Sequence, residues 1–442
     1  MNIKHSLQMQ RRARRVIPGM TQLLSKRPDM FSEGVWPGYY KKAKGAEVWD
    51  LDDNHYLDMS IAGIGANILG YADPDVDAAV CQAIANGSSC SLNCPEEVEL
   101  AELLCELHPW ASMVRFARTG GESMSIAVRI ARAFTGRDLV AFCGYHGWHD
   151  WYLAANLGTQ DALGDYLISG LKPIGVPKQL AGTAFPFQYN QLDQLQNIVS
   201  RHGSNLAAIV MEPQREDAPA PGFLEGVRAL ADESGAVLIV DEISSGFRMN
   251  TGGLHLRLGL KPDIAVFSKA LGNGYPIAAI IGKEPVMEAV QTTFISSTMW
   301  TERVGNVAAL ATIRKHRQLN AGQHLTALGQ RVQSGWQEAA GQTGLKLSVG
   351  GIPPLSHFGF QYPEASALKA YFIQLMIEEG FLASTIYDSM YAHQFEQIDQ
   401  YLQSVKKAFA VIAQALEKGD LAARMKGAPS SVGFKRLTKG KA

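Results

Sequence analysis

A lysine that directly follows an apolar segment marks the most chemically informative part of the sequence. Lys269 comes just after residues 264–267, which have the pattern of a short β-strand, and it precedes a glycine-rich turn at 272–274. A second apolar segment, 236–240, ends in Asp241. Lysine amines form imines with carbonyl compounds. A lysine and a carboxylate at the ends of consecutive strands therefore predict an enzyme that works through a Schiff base on the lysine.

The elements that must position these residues alternate along the chain. Helical patterns, for example at 122–134 and 224–233, separate the apolar runs that indicate strands, which lie at 114–117, 139–143, 206–211, 236–240, 264–267 and 278–281. Such alternation predicts an α/β fold with a mainly parallel central sheet flanked by helices. Ligands of these sheets bind at the carboxyl ends of the strands. Thr119, Asp241 and Lys269 all follow strand ends, so we expect them to lie close together.

The rest of the chain predicts a second, smaller domain built from both chain ends. Its expected elements are a helix at 6–25, a hairpin at 48–58 with its turn at 52–55, and short strands with two helices over 345–416. Further helices are expected at 74–86, 95–108, 305–319 and 325–340. We expect an N-terminal segment at 1–75, a large domain at 76–310 and a C-terminal part at 311–442. The first and third of these would form one small α+β domain.

Composition limits the classes of partner. The net charge is −1, from 41 basic and 42 acidic residues, which argues against a general nucleic-acid binder. We find no apolar run long enough to span a bilayer and no N-terminal apolar segment typical of a secretion signal. The five cysteines match no zinc-binding spacing and indicate reduced thiols, so we expect a cytoplasmic protein without a metal site.

The segment Asp241-Glu242-Ile243-Ser244-Ser245-Gly246-Phe247-Arg248, together with Asp263 and Ser268-Lys269, resembles class III pyridoxal-phosphate (PLP) aminotransferases. The similarity is greatest to the glutamate-1-semialdehyde aminomutase-like branch and covers about 45–412. It implies a fold-type I PLP-dependent transferase with PLP as its cofactor. In that family, Lys269 would form the imine and then move a proton, and Asp241 would hold a proton on the pyridine nitrogen, which makes the ring an electron sink.

A loop before a predicted helix resembles the phosphate-binding loop of the same family. Thr119, Gly120 and Gly121 lie between the strand at 114–117 and a helix expected to begin near Glu122. Backbone N–H groups at a helix N-terminus bind anions, and the helix dipole adds to this attraction. Gly121 stands where the family has a hydroxyl residue. The resemblance therefore implies that Thr119 and the backbone bind the phosphate.

Four further residues match positions that the family uses around the cofactor. Tyr145, in Gly-Tyr-His-Gly after the strand at 139–143, would stack on one ring face, and Ile243 would cover the other. His146 would support the site. Glu212, after the strand at 206–211, would lie near the cofactor or the substrate amine.

One segment implies a shared active site. Residues 296–302 resemble a family segment whose threonine reaches the phosphate of the neighbouring subunit's cofactor. Thr298 is the expected residue, and Thr301 is the alternative. The resemblance therefore implies a homodimer in which each site borrows a residue from the partner.

The substrate side departs from the aminomutase branch. Tyr39 stands where that branch usually carries an arginine for the substrate carboxylate, and the change removes a bidentate clamp. Together with Asn67, it favours a neutral keto or aldehyde substrate, such as a keto sugar, over glutamate 1-semialdehyde. The leading hypothesis is an aminotransferase that moves an amino group from a small-molecule donor to a carbonyl acceptor by ping-pong kinetics.

Three alternatives stay open. An intramolecular aminomutase would use the same cofactor and return the amine to the same molecule. A phosphate- or nucleotide-binding α/β protein would use the Thr119 loop and Asp241-Glu242 with a metal, although the usual Gly-rich Lys-Ser/Thr signature is missing. A cofactor-binding but non-catalytic assembly partner is the third, although every matched chemical position is intact.

Overall fold

The computed structural model describes residues 2–159, 161–164, 166 and 171–431, which fall into two compact units. The central unit is Pro74–Gln323, and the terminal unit combines the described residues before and after it. The boundary expected after residue 310 lies inside the helix Arg303–Gln318. That helix buries Leu310 and Ile313 and packs on two helices of the central unit, so the units instead divide after Gln323.

The strands pair in three sheets. In chain order they are β1 (Tyr40–Lys44), β2 (Glu47–Asp50), β3 (His55–Met59), β4 (Met113–Ala117), β5 (Leu139–Cys143), β6 (Ala184–Pro186), β7 (Leu206–Met211), β8 (Val237–Asp241), β9 (Ile264–Phe267), β10 (Ala278–Gly282), β11 (Leu347–Gly350), β12 (Leu355–Phe360), β13 (Phe381–Ala383) and β14 (Ile386–Asp388).

The helices range from single turns to six turns. In chain order they are α1 (Lys4–Val16), α2 (Ala62–Gly65), α3 (Pro74–Ala85), α4 (Pro95–Leu107), α5 (Gly120–Thr135), α6 (Asp150–Leu153), α7 (Ala155–Gly158), α8 (Leu192–His202), α9 (Phe223–Ser234), α10 (Leu254–Leu258), α11 (Glu284–Met287), α12 (Arg303–Gln318), α13 (Ala321–Thr343), α14 (Ala365–Glu378), α15 (Phe395–Lys418) and α16 (Leu421–Arg424).

The central unit is built on a seven-stranded sheet of order β4-β10-β9-β8-β7-β5-β6. Strand β10 is antiparallel to both of its neighbours, and the other six strands run in one direction. Every residue of β7, β8 and β9 is buried, as expected for parallel strands covered by helices on both faces. The predicted α/β fold with a mainly parallel sheet is confirmed.

Alternate residues of the central strands enter two different cores. Val210 and Ile239 pack with α5 residues in one cluster, whereas Ile209 and Leu238 pack with α9 residues in the other. This alternation follows from the two-residue period of a strand. Helices on both faces hold the strands rigidly. Side chains at the strand ends therefore have fixed positions.

The terminal unit has its own sheets and core. One sheet has the order β1-β2-β3-β13 and the other β11-β12-β14. The predicted hairpin is the antiparallel pair β2–β3, and β13 pairs in parallel with β3, so both chain ends contribute to one α+β unit. Trp336, Phe358 and Phe409 lie in its main core.

One predicted element of this unit is wrong in length. The helix expected at 6–25 is α1, which ends at Val16. Ile17 is extended, with φ −123° and ψ 114°, because the ring of Pro18 disfavours a helical conformation in the residue before it. Within the described part of the chain, no helix is both long and apolar enough to cross a membrane.

Candidate active site

Five parallel strands bring the predicted residues to one edge of the central sheet. Thr119 follows β4, Tyr145 follows β5, Glu212 follows β7, Asp241 ends β8 and Lys269 follows β9. These strands run in the same direction, so their carboxyl ends lie at the same edge. Ligands of such sheets bind at this edge.

Lys269 is held in a strained conformation at the start of a 3-10 turn. Its φ of +44° lies in the left-handed region, which is uncommon for residues with a side chain and is often found at functional sites. Its Nζ donates a hydrogen bond of 2.7 Å to Oγ of Ser244. Burial, followed by the charges of Arg215 and Arg248, lowers the pKa of the Lys269 amine. Because a neutral amine is the nucleophilic form, this environment favours attack on a carbonyl.

Asp241 is buried and fixed by two hydrogen bonds. Its Oδ1 accepts from the backbone N–H of Ile243 at 3.0 Å, and its Oδ2 lies 2.8 Å from Nδ1 of His146. The other ring nitrogen of His146 is 3.1 Å from the carbonyl oxygen of Cys143, which can only accept. Nε2 therefore carries a hydrogen, and the contact with Asp241 requires a further proton between Nδ1 and Oδ2. His146 thus holds the Asp241 carboxylate in its orientation through this hydrogen bond.

Glu212 is buried beside the turn that carries Tyr145. Its Oε2 accepts from the backbone N–H of Tyr145 at 3.2 Å and from Nη1 of Arg215 at 3.4 Å. A Cβ at Gly144, whose φ is +115°, would lie 2.6 Å from the same oxygen, so only glycine permits this approach. Burial and the Asp241 carboxylate raise the pKa of the Tyr145 phenol, which therefore stays protonated.

The predicted phosphate loop forms the N-terminus of α5. The helix begins at Gly120, not near Glu122 as expected, and Thr119 is its N-cap. Glu122 Oε2 accepts from the backbone N–H of Thr119 at 3.4 Å. This bond stabilises the first turn, which explains how two glycines can lie within the helix. The first-turn N–H groups of Gly120 and Gly121 point out of the helix N-terminus, where an anion would bind.

Two close approaches, one to a side chain and one to backbone, join the phosphate loop to the other segments. A Cβ at Gly120 would lie 2.9 Å from Cδ1 of Ile243, and a Cβ at Gly147 would lie 2.9 Å from Cα of Gly121. The Gly147 distance is to a backbone atom and leaves no room for a side chain, so the loops after β4 and β5 meet at a spacing that only glycine allows. The Ile243 side chain, after β8, packs directly on Gly120.

Thr298 is the predicted site residue that has no described contact with the others within its own chain. It is exposed and begins a 3-10 turn, and its carbonyl accepts from the Thr301 hydroxyl at 2.9 Å. Arg118 fixes this turn next to the phosphate loop, because its guanidinium donates to the carbonyl oxygens of Trp300 and Glu302 at 3.0 and 2.6 Å.

Comparison with known proteins identifies the family. Residues 31–409 match the family described as aminotransferase class-III. The chain belongs to the class III aminotransferases. A 3-aminobutyryl-CoA aminotransferase of Cloacimonas acidaminovorans (strain Evry) is 30% identical over 429 residues, which cover 94% of this chain and 99% of the relative.

Solved structures of a transaminase and of a protein with bound PLP show the same fold. An omega-transaminase from Sphaerobacter thermophilus has 26% identity and a TM-score of 0.80, with 92% of this chain and 98% of that chain covered. The PLP internal aldimine form of the Sphingopyxis sp. MTA144 FumI protein has 23% identity and a TM-score of 0.84, with 96% and 98% covered. This chain is thus a PLP-dependent transaminase of fold-type I.

The residues of this class III aminotransferase fit PLP at each chemical group of the cofactor. The Lys269 amine, whose pKa is lowered by burial, would meet the aldehyde, the Asp241 carboxylate would meet the ring nitrogen, and the α5 N-terminus would meet the phosphate. Tyr145 and Ile243 pack on the same hydrophobic cluster and would cover the ring faces. Among the described residues, no group of three or more His, Cys, Asp or Glu side chains could hold a metal.

Three residues that contact the candidate site residues were not predicted from the sequence. Ser244 bonds the Lys269 amine, Arg215 pairs with Glu212, and Arg118 holds the turn of Thr298. Ser244 and Arg118 each adjoin a predicted site residue, and Arg215 follows Glu212 by three positions. Their closeness in sequence to predicted site residues was the only sign of their role, but local sequence does not show where a side chain points.

Proposed function

We propose that this class III aminotransferase moves an amino group from an amino donor to a separate keto or aldehyde acceptor in two half-reactions. The observation that carries the proposal is the Lys269 amine, whose pKa is lowered by burial and by Arg215 and Arg248, at the same sheet edge as Asp241. When bound, PLP supplies an aldehyde and a ring that accepts the electrons of a broken Cα–H bond.

The residues of the chain have separate tasks in this proposal. Lys269 would hold the cofactor aldehyde and, as a free amine, would remove the proton from the substrate Cα and deliver it as a general acid. Asp241, held by His146 and the Ile243 amide, keeps a proton on the ring nitrogen. Tyr145 and Ile243 exclude water from the ring faces. In the second half-reaction the same groups act in reverse on the carbonyl acceptor.

The proposed acceptor is a carbonyl compound without a free carboxylate. Tyr39 stands where the aminomutase-like branch usually has an arginine, so the carboxylate clamp of that branch is missing. The 30% identical relative is named for 3-aminobutyryl-CoA. In that compound the carboxyl group is tied up in a thioester, so it too has no free carboxylate. A 3-oxo thioester and a keto sugar are therefore the two acceptors to test first.

A donor and acceptor panel tests this function. Purified enzyme with PLP is mixed with single amino donors, and the visible absorbance of the cofactor is followed before and after 3-oxobutyryl-CoA, a keto sugar or glutamate 1-semialdehyde is added. We expect donor alone to change the spectrum once, and an acceptor without a free carboxylate to restore it with one amine transferred. Efficient conversion of glutamate 1-semialdehyde without any donor would instead identify an aminomutase.

We also propose a homodimer with shared sites in the cytoplasm. Phe294 and Met299, on either side of Thr298, are 93% and 59% exposed, and Trp148 near the phosphate loop is 68% exposed. Large exposed apolar side chains in one region indicate a protein interface. Trp148, Phe294 and Trp300 also line a cleft of about 470 Å³. All five cysteines are free thiols, which supports a reducing location.

A subunit-mixing experiment tests the shared site. Thr298→Ala is expected to weaken PLP binding about tenfold or more, because a hydrogen bond to a charged phosphate is lost. Lys269→Ala is expected to be inactive. If Thr298 acts across the interface, a mixed dimer contains one site with both residues intact, and mixing the variants restores activity at limiting PLP.

The controls separate the possible failures of the dimer proposal. Wild-type enzyme should have twice the chain mass by light scattering. A monomeric active enzyme would contradict the homodimer. If the enzyme is a dimer but mixing the variants restores no activity, Thr298 acts in the site of its own subunit. Thr292→Ala, an exposed threonine whose hydroxyl bonds only a nearby carbonyl, is the matched control and should keep wild-type PLP affinity.

A further inference from the structure

The Lys269 amine has a defined partner on the neighbouring strand. Nζ donates to Oγ of Ser244 over 2.7 Å, between the loop after β9 and the loop after β8. In this bond the lysine provides an N–H and the hydroxyl oxygen accepts. A neutral amine that donates one of its N–H groups in this way keeps its lone pair outside the bond. The contact therefore restricts where the lone pair can point without blocking it.

The backbone that carries Ser244 is held in place on both sides. Before it, the buried Glu242 side chain accepts from the backbone and ring N–H groups of His255, both at 2.7 Å, and from the Ser245 hydroxyl at 2.6 Å. After it, Nε of the buried Arg248 donates to the Ser244 carbonyl at 3.0 Å. These bonds fix the backbone of residues 242–248, so the Cα atom from which the Ser244 side chain projects is held rigidly.

The backbone of Lys269 is equally constrained. Its φ of +44° is fixed within a turn in which the Leu271 N–H bonds the Ser268 carbonyl at 3.0 Å. The Ser268 hydroxyl in turn bonds the Ile277 carbonyl at 3.1 Å. The flexible part of Lys269 is thus its four-carbon stem, and the bond to Ser244 limits the freedom of its end.

We propose that Ser244 is a positioning residue for the Lys269 amine: by accepting one N–H, its hydroxyl directs the nitrogen lone pair toward the carbonyl that the amine attacks. The inference rests on the proposed role of Lys269. It adds a residue that acts through geometry, because reaction rates depend steeply on the alignment of the reacting atoms. The lowered pKa of Lys269 is consistent with it, since only a neutral amine has a lone pair to direct.

A positioning role and a purely electrostatic role predict different pH profiles. The hydroxyl oxygen stabilises an ammonium more than a neutral amine, so losing it lowers the pKa of Lys269 further. An electrostatic role would move the midpoint of the rate–pH profile to lower pH and leave the high-pH plateau unchanged. A positioning role lowers the plateau itself, because the misaligned amine reacts slowly even when it is fully neutral.

The test follows PLP incorporation into the full-length protein after the cofactor has been removed. PLP is added at a series of pH values, the imine is trapped with borohydride at timed intervals, and modification of Lys269 is counted by mass spectrometry. Variants are Ser244→Ala, Ser244→Thr, which keeps a hydroxyl, and Ser234→Ala as a control. Ser234 lies at the end of α9, where its hydroxyl bonds the Leu230 carbonyl.

We expect the plateau rate of Ser244→Ala to fall about tenfold, and those of Ser244→Thr and Ser234→Ala to stay within about twofold of wild type. An unchanged plateau in Ser244→Ala, or an equal loss in Ser244→Thr, would overturn the positioning role. Thermal unfolding of each cofactor-free variant shows whether a loss comes from the fold. If wild-type Lys269 is not modified at all, the proposed function itself fails, which is a distinct result.

Discussion

Replacing Lys269 with alanine is expected to lower kcat by about 10⁴-fold or more, because the same amine acts as nucleophile and as proton carrier. The expected result is a protein that still folds and binds PLP through its phosphate but completes no turnover. The measurement is the rate of the donor half-reaction, followed by the cofactor absorbance in stopped flow. A small primary amine added at high concentration should restore part of the proton transfer.

The matched control is Lys283→Ala. Lys283 follows β10, and because that strand is antiparallel, this lysine lies at the opposite edge of the sheet, where its Nζ bonds Asp263 at 2.7 Å. Its removal should leave kcat within about twofold of wild type, because Lys283 lies away from the candidate site and Asp263 keeps its ion pair with Arg228. A Lys269→Ala enzyme with a wild-type half-reaction rate would refute the mechanism.

Replacing Asp241 with asparagine is expected to slow the half-reaction by about 10²- to 10³-fold, the range for losing one preorganised electrostatic partner. The physical reason is that a neutral amide does not hold a proton on the ring nitrogen. Asparagine can still accept from the Ile243 N–H and contact His146, so the fold should persist. The half-reaction rate and the melting temperature are measured together.

A control at a surface carboxylate separates a charge effect from a site effect. Asp232→Asn removes a carboxylate that is 70% exposed and pairs with Arg228 on α9. It should keep the wild-type half-reaction rate, because solvent and salt screen such pairs. If Asp241→Asn also kept that rate while PLP remained bound, Asp241 would not be the partner of the ring nitrogen.

The strands of the central sheet were predictable from local sequence. The elements β5, β7 and β9 have the predicted bounds, because each is a short apolar run ended by a polar residue or glycine. Errors arose where a helix end depends on a single residue or on a cap. Pro18 ends α1 early, and the bond from Glu122 lets α5 begin at Gly120.

The domain boundary failed for a different reason. A helical pattern shows that α12 exists, but its sequence does not state which neighbours it will bury. In the structure α12 packs on α3 and α4, so it stays with the central unit, and the division comes at the next helix, α13. Packing partners are a tertiary property, because any apolar face can in principle be covered by several others.

Residue types and strand pattern were enough to predict which residues could react and that they lie at one edge of the sheet. In an α/β pattern, residues that follow parallel strands must meet at the carboxyl ends, so the strand pattern alone brings together Lys269, Asp241 and the loop at Thr119. The tertiary structure decided how they are held: Asp241 by His146, 95 residues away, and Lys269 by Ser244, 25 residues away. These contacts depend on strand order and side-chain direction, which no local pattern contains.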